Sequence, residues 1–422
     1  MRMSERFPLF SLTFDEDGSL QSQDEFDALI GRAKEAPPAT DAIFLAHGFR
    51  NDIGDATLLY DTFLKTFRSH FMRPEFEDVA ARRYVVAGVY WPSKPFKEAY
   101  TGATRGLPDD SRMMADVKKQ LQDLKKHDAT AAQRPKLEKA IRLLPKLEGN
   151  PKAQDDFVAL VLSLVDDSPT DKTEGLAQIR TRSGSELLAR LGAGAPSGTR
   201  GIGGWFSGIA GSVGQFLNLT TWYVMKDRSG VVGSVGVASA VRALHTSCPD
   251  LRIHLVGHSL GGRLMASCAK ALGETPALQV DSLMLLEAAF SHFGFSDDNG
   301  HGASGFFRDV VVKKVVKGPF LSTFSKEDTV VGNAYAIMSR LAFDNTREIG
   351  DASDEFGGIG RNGPLKTSEV AHFPFQNPGT AYTYAPGVIN NLDGSGGFIK
   401  DHADVMNEAV TYAFASAVAQ TG

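Results

Sequence analysis

The chain is 422 residues long, 42% hydrophobic, 9% aromatic and 23% charged, an ordinary globular composition that excludes a disordered, collagenous or disulfide-scaffold protein. Its 45 Lys and Arg against 50 Asp and Glu leave a net charge of −5, so charge gives no reason to expect nucleic acid or an acidic membrane as the main partner. Only two cysteines are present, Cys248 and Cys268, without metal-ligand spacing; Cys268 lies in an apolar helical pattern and reads as a small buried hydrophobe.

In chain order, the N-terminal MRMSERFPLFSLTFDEDG lacks the apolar stretch of a secretory signal. No run of about 18 apolar residues follows anywhere. The expectation is a soluble, cytoplasmic protein, a reading compatible with signal-independent export. Phe7 to Phe14 alternates as a strand does, and 24–34 has a helical face of Phe26, Leu29 and Ile30. Ala42 to Ala46 (AIFLA) is a continuous apolar run, expected of a strand covered on both faces. A helix over 56–67 and the strand Tyr84 to Tyr90 (YVVAGVY) come next. Leu251 to Val256, Ser282 to Leu286 and Phe320 to Phe324 are the remaining strong strand signals. Short apolar runs alternating with helical patterns predict an α/β fold with a mostly parallel sheet and helices on both faces.

About 160 residues separate the strand at Tyr90 from that at Leu251, far more than a crossover of roughly a dozen needs. Val117, Leu121 and Leu124, then Leu137, Ile141 and Leu144, recur at helical spacing, and Phe157 to Val165 reads as a third, more apolar helix. The stretch 192–219 is rich in Gly, nearly uncharged, and carries Trp205, Phe206, Ile209 and Phe216. It reads as a packing segment or as an apolar lid. A helix over 220–245 leads back to the sheet. The expected division is a core of 1–95 and 216–422 with a helical, cap-like insertion over 96–215. The apolar insertion also offers a surface for peripheral membrane contact; nothing indicates the oligomeric state.

The chemistry is concentrated in LRIHLVGHSLGGRLMASCAKAL, 251–272: a strand, then Gly257-His258-Ser259-Leu260-Gly261, then a helix of small and apolar residues. This is G-x-S-x-G in its strand–turn–helix context. A side chain on so sharp a turn takes a strained backbone conformation, and its neighbours must be small for strand and helix to approach. Gly257 and Gly261 supply that room, and Gly262 lets the helix pack on the sheet. The helix N-terminus beside Ser259 favours an oxyanion formed on attack.

The GHSLGG segment resembles the nucleophile elbow of lipases and esterases of the α/β-hydrolase fold, over roughly 42–90 and 220–417. The resemblance implies a serine nucleophile followed in chain order by an acid and a histidine. Serine needs a base, and of ten histidines His402, after the Gly-rich loop 394–397 and before the last amphipathic helix, occupies the family's position for it. His372 is a competitor, His292 and His301 could line the site, and His254 sits inside a strand. Asp328, in GPFLSTFSKEDTVVG, resembles the family's acid after its seventh strand; Glu287, ending SLMLLEAAF, is the alternative acid. Of the two oxyanion-hole amides, one is that of Leu260. The other is that of Phe49, since His47-Gly48-Phe49 in AIFLAHGFRND resembles the family's H-G-x turn. His47, Arg50, Trp91, His258 and Glu287 are candidates for the pocket wall, with Arg50 expected to pair with Asp52 or Asp55.

What the resemblance implies is cofactor-free hydrolysis of a small-molecule or lipid carboxylic ester, with no metal, through a Ser259–His402–Asp328 triad and an acyl-enzyme. Hydrophobic acyl groups fit the lipase-like elbow. Thioesterase, amidase or acyltransferase chemistry on the same triad stays open, as does a non-catalytic binding protein of the same fold.

Overall fold

The computed structural model describes residues 2–4, 7–94, 110–127, 129–165, 174–192, 208–300, 302–342 and 351–422. The chain forms two compact units, one of 1–93, 228–331 and 358–422, the other of 94–227 and 332–357. The expected boundaries therefore shift. Residues 216–227 and 332–357, expected in the core, belong to the helical unit. The cause is a buried polar knot inside that unit. Lys226 forms an ion pair with Glu174, Tyr335 donates to Glu174 Oε2 at 2.8 Å, and the Lys226 ammonium lies 4.6 Å from the Trp222 ring centroid. A buried charge this close to its counter-ion and an aromatic face holds its segments together. The Arg182 guanidinium adds a 2.7 Å bond to the Ala342 carbonyl.

The helical unit contains the helices Asp110–His127, Arg134–Leu143, Pro151–Leu162 and Gly184–Gly192, with Val117, Leu121, Leu137, Phe157 and Leu187 buried at their interfaces. Of the Gly-rich stretch, 193–207, including Trp205 and Phe206, lies outside the described residues. Ile209 and Phe216 belong to a helix, Ile209–Val231, and Phe216 is buried.

The first unit is built on a nine-stranded sheet. Its strands are β1 (Arg2–Ser4), β2 (Phe7–Thr13), β3 (Asp41–Ala46), β4 (Tyr84–Tyr90), β5 (Arg252–His258), β6 (Ser282–Leu286), β7 (Phe320–Phe324), β8 (Val370–Pro374) and β9 (Ile389–Asp393). They lie in the order β1-β2-β4-β3-β5-β6-β7-β9-β8. Only β1 pairs antiparallel; β2 to β9 are parallel throughout. Their shared direction brings the loops after β3, β5, β7 and β9 to one edge of the sheet, where an open parallel sheet binds its ligands. β3 and β4 are buried at every position, as continuous apolar runs require.

One face carries the helix Ile53–Ser69, whose Phe63 and Phe67 meet Phe414 of the helix Glu408–Ala419 with ring centroids 5.4 and 5.0 Å apart. The helix Leu260–Leu272 is buried along most of its length, Cys268 included. The stretch expected as one helix over 220–245 is interrupted by a π-helical turn, Val232–Val237. There Gly233 lies against the Leu264 backbone so closely that a Cβ would collide with its carbonyl. No helix among the described residues is long and apolar enough to cross a membrane.

Candidate active site

Ser259 directly follows β5 and precedes the first turn of the helix Leu260–Leu272, with φ 57° and ψ −124°. A residue with a Cβ reaches this region only under strain, of order 1–3 kcal/mol, held by its surroundings. The clamp is visible. The Ser259 amide donates to the Leu286 carbonyl at 3.0 Å, and its carbonyl accepts from Gly262 at 2.9 Å and Ala289 at 3.0 Å. A Cβ on Gly257 would strike the Gly261 carbonyl, and one on Gly261 the Ala46 carbonyl. Of five non-glycine residues with positive φ among those described, Arg50, Ser259 and Glu287 flank this one edge. Strain gathered at one place marks a functional site better than strain scattered over loops.

His402 and Asp328 arrive from the loops after β9 and β7. His402 Nδ1 lies 2.8 Å from Asp328 Oδ2. Asp328 Oδ1 accepts from the Val330 and Val331 amides at 3.0 and 2.9 Å, so the carboxylate caps the helix Thr329–Ala342 and its charge sits on free N–H groups. With Nδ1 committed to Asp328, Nε2 is the ring nitrogen left to accept a proton. His258, the residue before Ser259, is the one that touches His402. Its Nε2 is 2.7 Å from the His402 carbonyl, and the two rings are 4.8 Å apart. No hydrogen bond joins the Ser259 hydroxyl to His402 among the described residues; such bonds often tighten only when substrate is bound.

The turn after β3 touches the serine. A Cβ at Gly48 would lie 2.7 Å from Ser259 Cβ and 3.2 Å from its Oγ, so only glycine fits there. The next amide, that of Phe49, has no acceptor among the described residues. Leu260 opens its helix, and its N–H has no acceptor within that helix. The two amides expected to receive an oxyanion thus stand on the two chain segments that flank Ser259.

The five pocket-wall candidates separate into different roles. His47 is buried and pinned. Its amide donates to the Tyr60 hydroxyl at 2.9 Å, its Nδ1 is 3.0 Å from the Gly48 carbonyl, and its ring stacks on Trp91 at 5.7 Å. Trp91 returns a bond from Nε1 to the His47 carbonyl at 3.0 Å. Both are corrected from pocket wall to supports of the Gly48 turn. Burial lowers His47 to a pKa of about 4, so it is neutral. His258 is likewise a support. Burial, with the neighbouring His402, lowers it to about 3, and as a neutral ring it donates from Nε2 to the His402 carbonyl.

Glu287 is 0% exposed and cannot line a pocket; it lies behind Asp328. Neither is it the acid that holds His402. Arg50 is the exposed member, stacked at 5.1 Å over the Phe49 ring, while Asp52 and Asp55 form the reciprocal capping box of the helix Ile53–Ser69.

The other histidines separate as clearly. His372 stands exposed on the edge strand β8, 3.3 Å from Asn391. His292 is buried and bonded to Asn362 at 3.1 Å, and His301 lies outside the described residues. No group of three or more His, Cys, Asp or Glu able to hold a metal ion occurs among the described residues.

The sequence reading missed Tyr60, whose hydroxyl joins the His47 amide to the Val89 carbonyl at 2.5 Å, and Thr323, which donates to Glu287 Oε1 at 3.1 Å. Tyr60 occupies an apolar helical position and carries no signal that sets it apart from a core aromatic. Thr323 gave a faint one, since with Ser322 it puts a polar pair in the buried strand FLSTF. Compared with known proteins, the chain matches no family model, no curated protein and no solved structure.

Proposed function

We propose that the protein is a serine hydrolase of carboxylic esters, with an α/β-hydrolase arrangement of its first unit. The observation that carries the reading is the strained Ser259 at the β5–helix turn, on the same sheet edge as a histidine already oriented by a carboxylate. Composition gives serines and histidines anywhere; a costly backbone conformation at that one serine asks for a reason. The strand order supports the fold assignment, since the serine follows β5, the Gly48 turn follows β3 and the acid follows β7.

In this mechanism the Ser259 hydroxyl attacks the acyl carbonyl as His402 Nε2 takes its proton. Asp328 keeps the proton of Nδ1 directed at itself and stabilises the imidazolium. The Phe49 and Leu260 amides receive the oxyanion of the tetrahedral intermediate. His402 then protonates the leaving alcohol, and water releases the acyl group by the same steps in reverse. Thioesters, amides and transfer to another alcohol share the acyl-enzyme, so a leaving-group series ranks them. Hydrophobic acyl chains are the first substrates to try.

A fluorophosphonate probe tests the reading, because it reacts only with an activated serine. The expected result is stoichiometric labelling of the wild type, none of Ser259→Ala, and loss of p-nitrophenyl ester turnover in that variant with an unchanged far-UV spectrum. Equal labelling or turnover in both proteins overturns it.

A further inference from the structure

Glu287 stands at the C-terminal end of β6 with φ 42°, its side chain fully buried. Only one of its oxygens has a partner that donates to it in ordinary geometry, Oε1 from the Thr323 hydroxyl at 3.1 Å. Oε2 is buried with none. No Lys or Arg forms an ion pair with it among the described residues. Its other contact is the carboxyl group of Asp328, at hydrogen-bonding range. Two carboxylates in such a contact cannot both be ionised; one carries a proton and donates it to the other.

Which one holds the proton follows from the donors around each. Asp328 accepts from two amides at a helix N-terminus and from His402 Nδ1, all of which favour its anion. Glu287 has a hydroxyl and the Ser325 amide nearby, and these are outweighed: burial first and the Asp328 charge second push its pKa well above the usual carboxylate range.

We propose that Glu287 is a neutral carboxylic acid whose Oε2–H donates to the Asp328 carboxylate, forming a proton-sharing pair that positions Asp328 against His402. The proposal rests on reading Ser259, His402 and Asp328 as a hydrolytic triad, and it makes Glu287 a positioning residue behind them. A donor at its back fixes the plane of the Asp328 carboxylate against the His402 ring. The titratable and charged groups around the pair are His402 and His258 from the site, Glu327, and Arg361 from the helix Ile359–Asn362. The His258 ring is neutral. Glu327 accepts from Ser325 and from the Gly396 amide, and the Arg361 guanidinium is taken up by the carbonyls of Lys326 and Asp328.

The test uses the full chain and three measurements on wild type, Glu287→Gln and Glu287→Leu. An infrared difference spectrum, wild type minus Glu287→Gln at pH 7, should show the C=O stretch of a protonated carboxylic acid; a carboxylate band alone overturns the proposal. Glutamine is a neutral donor of the same shape. Glu287→Gln should therefore keep kcat/KM within about threefold and leave the acid limb of its pH profile in place. A downward shift of that limb would mean that a negative charge had been removed near His402, and overturns it. Leucine fills the space without donating, and kcat should fall about tenfold or more with KM little changed. Full kcat in that variant refutes the positioning role. If Glu287→Leu does not fold, the infrared band and the glutamine profile still decide. The infrared result needs no turnover, so a protein that shows the acid band but no fluorophosphonate labelling would sink the hydrolase reading and leave the carboxyl pair standing.

Discussion

The first unit holds two Ser–His–Asp clusters, at opposite ends of the same parallel strands. At the C-terminal edge stand Ser259, His402 and Asp328. At the N-terminal edge, Ser282 Oγ is 2.8 Å from His254 Nδ1, and His254 Nε2 is 2.9 Å from Asp41 Oδ1. The second cluster is the better bonded of the two. Yet its serine lies inside β6 with unstrained backbone, and all three side chains are buried with at most 1% exposure.

Its carboxylate is occupied on every side, by Thr40 at 2.6 Å, Arg82 at 3.0 Å and Arg252 at 3.8 Å. Burial would raise Asp41, but the His254 bond and charge, Thr40 and Arg82 together hold it below the usual carboxylate value. The lesson is that a triad is a matter of placement. Among the described residues, a strained serine with amides lacking an acceptor beside it is found at the C-terminal edge and not at the other.

Exchanging the two histidines' fates gives the largest expected contrast. His402→Ala should lower kcat/KM by about 10³–10⁴ while leaving the denaturation midpoint nearly unchanged. His254→Ala should do the opposite. It strips one hydrogen bond from the buried Asp41, which keeps Thr40 and Arg82, and leaves Ser282 unbonded, a loss of about 1–3 kcal/mol in denaturant titration, with kcat/KM per folded molecule unaltered. Loss of catalysis at His254 without loss of stability would reverse the assignment of the two edges.

Smaller in effect but sharper in aim is Gly48→Ala. The added methyl would meet Ser259 Cβ at 2.7 Å, and the Gly48 turn must move away. In the proposed mechanism, displacing the Phe49 amide would remove one oxyanion donor, for which a fall of about 10²–10³ in kcat is expected. KM for a small ester should change little. A drop in KM-dependent binding alone would mean that the turn shapes the pocket rather than the intermediate.

The comparison also explains what a reader of the sequence could see. The central strands were legible because AIFLA, YVVAGVY and SLMLL have no polar position to confuse them. β9, INNLD, was not, since three of its five residues are polar. Asn390 is tolerated there because its amide is spent on the Phe320 and Ala385 carbonyls, contacts that no local pattern announces. β8 carries His372 and Pro374, which suit an edge strand and look like loop. At the site, the elbow was legible because glycine spacing records a steric need. The supporting layer was not: Tyr60, Trp91, His47 and His258 act through hydrogen bonds across 13 to 144 residues of chain. The same invisibility covers the Asp41–His254–Ser282 cluster, whose members are 28 and 213 positions apart.

That supporting layer has a pH signature, the smallest effect but one that separates the two edges again. His47 and His258 titrate at about 4 and about 3 in the folded chain, lowered by burial, and near 6.5 once unfolded. Between those values the unfolded chain binds protons that the folded chain refuses, so stability falls as the pH drops from 6.5 towards 4 for His47 and towards 3 for His258. Each ring steepens the acid slope by about 1.4 kcal/mol per pH unit within its window. His258→Gln keeps an Nε-type donor for the His402 carbonyl and has nothing to protonate. Its unfolding free energy, followed from pH 7 to pH 4.5, should therefore decline less steeply than that of the wild type by about that amount. An identical slope would mean that the His258 ring is already charged in the folded protein, and with it would go the neutral donor that holds the His402 main chain in place.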